Sequence, residues 1–251
     1  MAQKEYSVRL YVDAGLSQDQ GVVLEKAQSH YIGTVMRRKP GDKVLLFNGR
    51  DGEWLGEIQE IKKNHSLIRP VERTRIQKNG ADIELWFAPV KKTQTALIIQ
   101  KATELGVSCL VPVQTMRTQA DRLREDKMYL QAVEAAEQCE RLSVPKIKEL
   151  TKLDKVLASR EADRELIFCH ERRDLSDPVE VLEGVAPSNK VAILVGPEGG
   201  FTEEEREKIA SCDGTHILGM GPRILRAETA VVSALTLFQA LCGDWRRELS
   251  E

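Results

Sequence analysis

A chain of 251 residues, 41% hydrophobic and 30% charged, is composed like an ordinary folded protein and excludes disordered or fibrous classes. Its formal charge of -2 excludes indiscriminate binding of nucleic acid by net charge and leaves only local basic patches for that purpose. The longest apolar stretch, Ala230 to Cys242, is broken by Ser233, Thr236 and Gln239 and is too short to cross a bilayer.

In chain order, Met1 to Glu5 lacks the apolar core of a secretory signal, so a cytoplasmic location is expected. Short strand-like runs follow at Tyr6–Val12, Lys43–Phe47, Trp54–Ile58 and Ser66–Arg69. Asn48-Gly49 and Asp51-Gly52 sit between two of them, where a tight hairpin needs residues tolerant of positive φ. The expectation is a small β-barrel or sandwich over 1–72, then a polar Arg- and Lys-rich linker over 73–80. From 81 to 251 strands alternate with helices, the signature of an α/β layer on a mostly parallel sheet. The strands are Ile83–Ala88, Val107–Val113, Glu165–Cys169, Val191–Val195 and His216–Leu218. Helices are expected at Thr93–Leu105, with Gly106 as its stop, at Asp121–Arg141, at Thr202–Cys212 and at Thr229–Leu241. Thr202 and Glu205 stand in capping-box spacing.

Cys109, Cys139, Cys169, Cys212 and Cys242 form no Cys-x-x-Cys pair, and the four histidines have no ligand spacing; free thiols and no metal are expected. The informative strings are two. In Leu194-Val195-Gly196-Pro197-Glu198-Gly199-Gly200-Phe201, a strand runs into three glycines, a proline and an acid before a capped helix. Open α/β sheets bind ligands at such strand ends, which favours a ligand loop over a plain turn. In Leu218-Gly219-Met220-Gly221-Pro222-Arg223-Ile224-Leu225-Arg226-Ala227-Glu228-Thr229, a second strand again passes through glycines into a helix. Neither has the Gly-Lys-Ser/Thr ending of a phosphate loop or the third glycine of a dinucleotide fingerprint. Two such loops could form opposite walls of one cofactor pocket.

These two strings, with Gln100–Val107, Ala135–Gln138, Arg141, Val144-Pro145, His30–Ile32, Val35–Arg37 and Gly41-Asp42, resemble the motifs of the RsmE family of SPOUT methyltransferases along essentially the whole chain. The resemblance implies an N-terminal PUA-like RNA-binding barrel and a C-terminal α/β domain with a trefoil knot. It further implies a homodimer that uses S-adenosylmethionine to methylate N3 of one uridine in 16S ribosomal RNA of the small subunit. Cofactor contacts would come from Leu194, Val195, Gly196, Pro197, Glu198, Gly199, Leu218, Gly219, Met220, Gly221, Ile224, Leu225, Arg226, Glu228 and Thr229. The apolar helix over Thr229–Leu241 would be an interface element. The chain departs from the family pattern at Met116, Met220, Lys91-Lys92, Thr95-Ala96 and Glu140.

The chemistry requires an in-line attack on a methyl that is already electrophilic, and a cation for the charge left on uracil when N3 loses its proton. Arg9 or Arg226 would supply the cation; the proton would pass to water or to Glu198 or Glu228. His170, at a strand end, could touch a ligand but is more economically structural. RNA phosphates would meet Arg9, Arg37, Arg38, Lys91 and Lys92, with Lys39, Arg73, Arg75 and Lys78 as further candidates. The alternatives are a methyltransferase of the same fold acting on transfer RNA or another ribosomal nucleotide, and a non-catalytic RNA-binding assembly factor.

Overall fold

The computed structural model describes residues 8–120, 122–171, 177–185 and 190–246. They fall into two compact units: residues up to Asn79 together with Ala136–Val144, and Gly80–Ala135 together with the residues from Pro145 onward.

The first unit is a five-stranded sheet. Its strands are β1 (Arg9–Tyr11), β2 (Val22–Leu24), β3 (Lys43–Phe47), β4 (Glu53–Ile61) and β5 (Ser66–Arg75), in the order β1-β3-β4-β5-β2. A short helix α1 (Lys26–His30) continues into a π-helical turn over Tyr31–Val35. All pairings are antiparallel except β1 with β3. Leu10, Leu24, Ile32, Val44, Leu46, Ile58 and Ile68 fill the interior. The β3–β4 turn is built by Asn48, whose Oδ1 accepts from Arg50 N (3.0 Å) and Asp51 N (2.9 Å), while Gly49 and Gly52 take φ of 77° and 83°.

Two expectations shift here. The N-terminal strand covers Arg9–Tyr11, and residues 6 and 7 of the expected run lie outside the described residues. Arg73 to Arg75, expected in the linker, extend β5, because Trp54 and Glu53 at the start of β4 pair with Arg73 and Arg75. A polar run without apolar period still makes a strand where a partner's backbone is available.

The second unit is a parallel sheet of β6 (Asp82–Phe87), β7 (Cys109–Gln114), β8 (Lys146–Ile147), β9 (Thr151–Lys152), β10 (Glu165–His170), β11 (Lys190–Val195) and β12 (Thr215–Gly219). The order is β12-β10-β11-β6-β7-β8, with β9 also on β7, and every pairing is parallel. Helices α2 (Lys92–Glu104), α3 (Glu125–Gln138), α4 (Leu153–Ala158), α5 (Pro178–Val185), α6 (Glu203–Ala210) and α7 (Ala227–Leu241) connect the strands or follow them. Strands covered on both faces read as unbroken apolar runs, as Leu166–Cys169 and Val191–Val195 do. Trp86, Phe168, Leu194, Phe201 and Ile209 belong to one core cluster. Helix α3 is shorter than the expected Asp121–Arg141, and residue 121 lies outside the described residues. Helix α7 begins two residues before the expected Thr229.

Candidate cofactor-binding site

Strand β11 follows β10 and lies beside it, whereas β12 crosses to the other side of β10. This reversal of strand order is a topological switch point, where the loops at carboxyl ends diverge and leave a crevice. Parallel register sets His170 opposite Gly219 and Phe168 opposite Leu194, so the ends of the three strands stand side by side. A cleft opens there, at the carboxyl ends of the strands.

Both glycine strings reach this cleft. Of the expected cofactor residues, Val195, Gly196, Pro197, Glu198, Met220, Gly221, Ile224 and Leu225 line it. Leu194 and Leu218 lie buried in their strands beneath, and Gly199, Gly219, Arg226, Glu228 and Thr229 stand in the loops or helix start without lining it. Phe201, the last residue of the first string, lines it too, and so do Phe168, Cys169, His170, Glu171 and Arg206, contributions from the end of β10 and from α6 that the strings did not indicate. His170 packs edge-on against Phe168, with ring centroids 5.3 Å apart. Its position at a strand end was the available signal.

Close packing holds the first loop in shape. The ring of Phe201 stacks edge-on against Phe168 at 5.2 Å and passes under Gly196, where a Cβ would come within 2.5 Å of Phe201 Cε2. Gly200 takes φ +66°. Thr202 and Glu205 form the expected capping box, Thr202 N donating to Glu205 Oε2 (2.9 Å) and Glu205 N to Thr202 Oγ1 (3.2 Å). Glu205 Oε1 also accepts from Met116 N (2.8 Å), and Arg117 Nη1 donates to Gly199 O (2.7 Å). Thus the middle of the loop and the helix that follows it are both bound to residues after β7.

The electrostatics narrow the chemistry. Burial pushes the Cys169 thiol up to about 12, so this lining sulfur stays protonated at neutral pH and is no nucleophile. Glu228 has its Oε2 buried with no hydrogen-bond partner among the described residues. Ile224 is 70% exposed, an apolar side chain standing in the open cleft.

Arg9 belongs to the first unit. Its Nε donates to Glu53 Oε2 (2.6 Å), Nη1 to Ala136 O (2.9 Å) and Nη2 to Arg141 O (2.7 Å), all within the first unit. Every guanidinium nitrogen is thus engaged and the side chain is buried, so Arg9 ties the strand to Glu53 and to two carbonyls of the first unit. Arg37, Lys91, Lys92 and Arg226 are exposed, and Arg38 is half-buried.

The RNA methyltransferase domain family matches residues 77–239, and the RNA methyltransferase PUA domain family matches residues 24–71. A ribosomal RNA small subunit methyltransferase E of Rickettsia conorii is 31% identical over 93% of this chain and 95% of its own length. The chain belongs to the RsmE family of RNA methyltransferases. A methyltransferase of Legionella pneumophila, solved in complex with S-adenosylmethionine, superposes with a TM-score of 0.82 at 29% identity, covering 94% of this chain and 98% of the other. The Neisseria gonorrhoeae methyltransferase E, also solved with S-adenosylmethionine, gives a TM-score of 0.84 at 24% identity over 95% and 99% of the two chains, a likeness of fold. In this RsmE-family chain both glycine loops meet at one cleft, with Met220 in the second, and Lys91-Lys92 stand at the head of α2.

Proposed function

We propose that this protein transfers the methyl group of S-adenosylmethionine to N3 of a uridine in 16S ribosomal RNA of the small subunit. The observation that carries the reading is the convergence of the two glycine loops, from the ends of β11 and β12 on either side of β10, on one cleft of a chain whose relatives are named for methylation of that RNA. The lining suits the cofactor: Val195, Met220, Ile224 and Leu225 offer apolar surface to a flat base, and glycine-rich backbone offers donors and acceptors to polar groups. Gly221, at φ +85° with nothing within 4 Å of a Cβ position, borders open space on that side. Bound there, the cofactor supplies a sulfonium methyl that needs alignment rather than activation.

Arg226 is exposed beside the lining residues Leu225 and Ala227 and is the arginine we assign to the negative charge developing on the uracil oxygens. Glu198, exposed on the cleft wall, takes the N3 proton directly or through water. Glu228, with one oxygen unsatisfied, accepts from a cofactor donor. Phosphates are met by Arg37 and Arg38 after the π-helical turn and by Lys91 and Lys92, whose positive charges stand at the positive end of α2, where an acid or a bound anion is favoured.

In the same reading residues 1–72 are the PUA-like RNA-binding module, 73–80 the linker and 81–251 the SPOUT domain with its trefoil knot, paired as a homodimer through α7 in the cytoplasm. Two findings bear on that partition: β5 continues to Arg75, and Ala136–Val144 clusters with the first unit. The test is methyl transfer from labelled S-adenosylmethionine to small subunits from cells lacking this gene, followed by mass spectrometry of the nucleoside. A 3-methyluridine at one site is the expected product. Cofactor binding without transfer would move the substrate to another RNA, and neither would leave a non-catalytic RNA-binding protein.

A further inference from the structure

The turn Gly196–Phe201 is packed at Gly196 by the ring of Phe201 and at Gly200 by a carboxylate. A Cβ on Gly200 would lie 2.7 Å from Glu171 Oε1 and 2.8 Å from Oε2, so the acid at the end of β10 rests directly on the turn's backbone. Arg206, in the second turn of α6, holds it there. Its Nη1 lies 3.2 Å from Glu171 Oε1 and donates to Phe201 O at 3.0 Å, while Nη2 donates to Glu203 Oε2 at 2.6 Å. The arrangement leaves Arg206 Nε buried without a partner among the described residues, a cost that the fork of contacts must offset. Both Arg206 and Glu171 line the cleft.

We propose that Arg206 and Glu171 are positioning residues, a clamp that holds the Gly196–Phe201 turn against the end of β10 and thereby sets affinity for the cofactor rather than the rate of methyl transfer. The inference rests on the cleft being the S-adenosylmethionine site. One guanidinium gathers three segments that meet only in the folded sheet: the end of β10, the turn after β11 and the first turn of α6. A pocket built from backbone depends on that backbone being ordered before the ligand arrives, because ordering it on binding is subtracted from affinity. Planar two-point contact of this kind suits arginine and is only half reproduced by lysine. Glu171 is 46% exposed, so its ion pair with Arg206 is screened and its separate share is small.

The experiment is calorimetric titration of the full chain with S-adenosylmethionine, alongside steady-state transfer to small subunits, for Arg206→Ala, Arg206→Lys, Glu171→Gln and the double variant Arg206→Ala/Glu171→Gln. Arg206→Ala should weaken cofactor binding about tenfold and Glu171→Gln about threefold, the scale of one or two partly exposed contacts. The double variant should be no weaker than Arg206→Ala, and Arg206→Lys should recover part of the loss. The KM for the cofactor should rise in step while kcat and the KM for RNA change by less than about twofold. Unchanged cofactor affinity in Arg206→Ala and Glu171→Gln, or a fall in kcat at unchanged affinity, would overturn the clamp. Should Arg206→Ala not fold, the near-isosteric Glu171→Gln decides alone. No cofactor binding by the unaltered protein would instead overturn the reading on which the clamp rests.

Discussion

Arg9 Nε donates to Glu53 Oε2 across 2.6 Å, between side chains only 7% and 3% exposed, with the guanidinium 3.8 Å above the ring of Phe47. Glu53 Oε1 accepts from Thr74 Oγ1 at 3.0 Å. Burial lowers the pKa of the Arg9 guanidinium while Glu53 opposes the fall, and an arginine stays protonated at neutral pH. Removing one member strands the other charge: Arg9→Ala should cost about 3–5 kcal/mol in urea unfolding of the first unit. The double variant Arg9→Met/Glu53→Leu should regain much of that loss, since an apolar pair of similar volume replaces a buried ion pair at little cost. An Arg9→Ala protein with an unchanged unfolding midpoint would return Arg9 to the substrate.

Gly196 leaves no room for a side chain. A Cβ there would meet Phe201 Cε2 at 2.5 Å and Cδ2 at 3.0 Å, and Phe201 cannot retreat because Phe168 backs it. Gly196→Ala should therefore displace the loop, costing about 1–3 kcal/mol of overpacking strain and cofactor affinity of similar size. Gly221→Ala, with open space around its Cβ but φ +85°, should cost only about 1 kcal/mol of backbone strain. Cofactor titration of the two variants checks the order, and equal losses would refute the packing argument.

Arg226 precedes α7 with an extended backbone and an exposed side chain. If it stabilises the uracil anion, Arg226→Ala should lower single-turnover methyl transfer about 100-fold, the scale for loss of one preorganised donor, while cofactor affinity changes less than about threefold. Weakened cofactor binding with a normal rate at saturation would make it a cofactor residue instead.

Cys169 lines the cleft yet is held protonated by burial, its pKa near 12, and burial pushes buried Cys109 to about 11 with the Glu84 carboxylate adding to the rise. Attack by a thiolate on the uracil ring is therefore not available at neutral pH. Cys169→Ala should retain transfer within about threefold, the residual effect being packing. A covalent complex between enzyme and RNA, detected in a denaturing gel and lost in Cys169→Ala, would contradict this.

Much of the second unit is legible in the order of its amino acids. Strands over β6, β7, β10, β11 and β12 lie within two residues of their expected bounds, because strands covered on both faces must be continuous apolar runs between polar ends. The Thr202–Glu205 capping box is equally plain, since its partners are three residues apart and its hydrogen bonds are local. The glycine loops point to a ligand through backbone freedom alone. Only the tertiary structure decided that both loops share one cleft, because periodicity carries no information about which strand lies beside which, and here β12 crosses over β10. The same non-local pairing brought in Glu171 and Arg206, neither of which belongs to a recognisable spacing. Arg9 marks the limit most clearly. A charged residue on a short strand reads as solvated until a carboxylate 44 residues away and two carbonyls beyond residue 135 are folded around it, an ion pair that no local pattern announces.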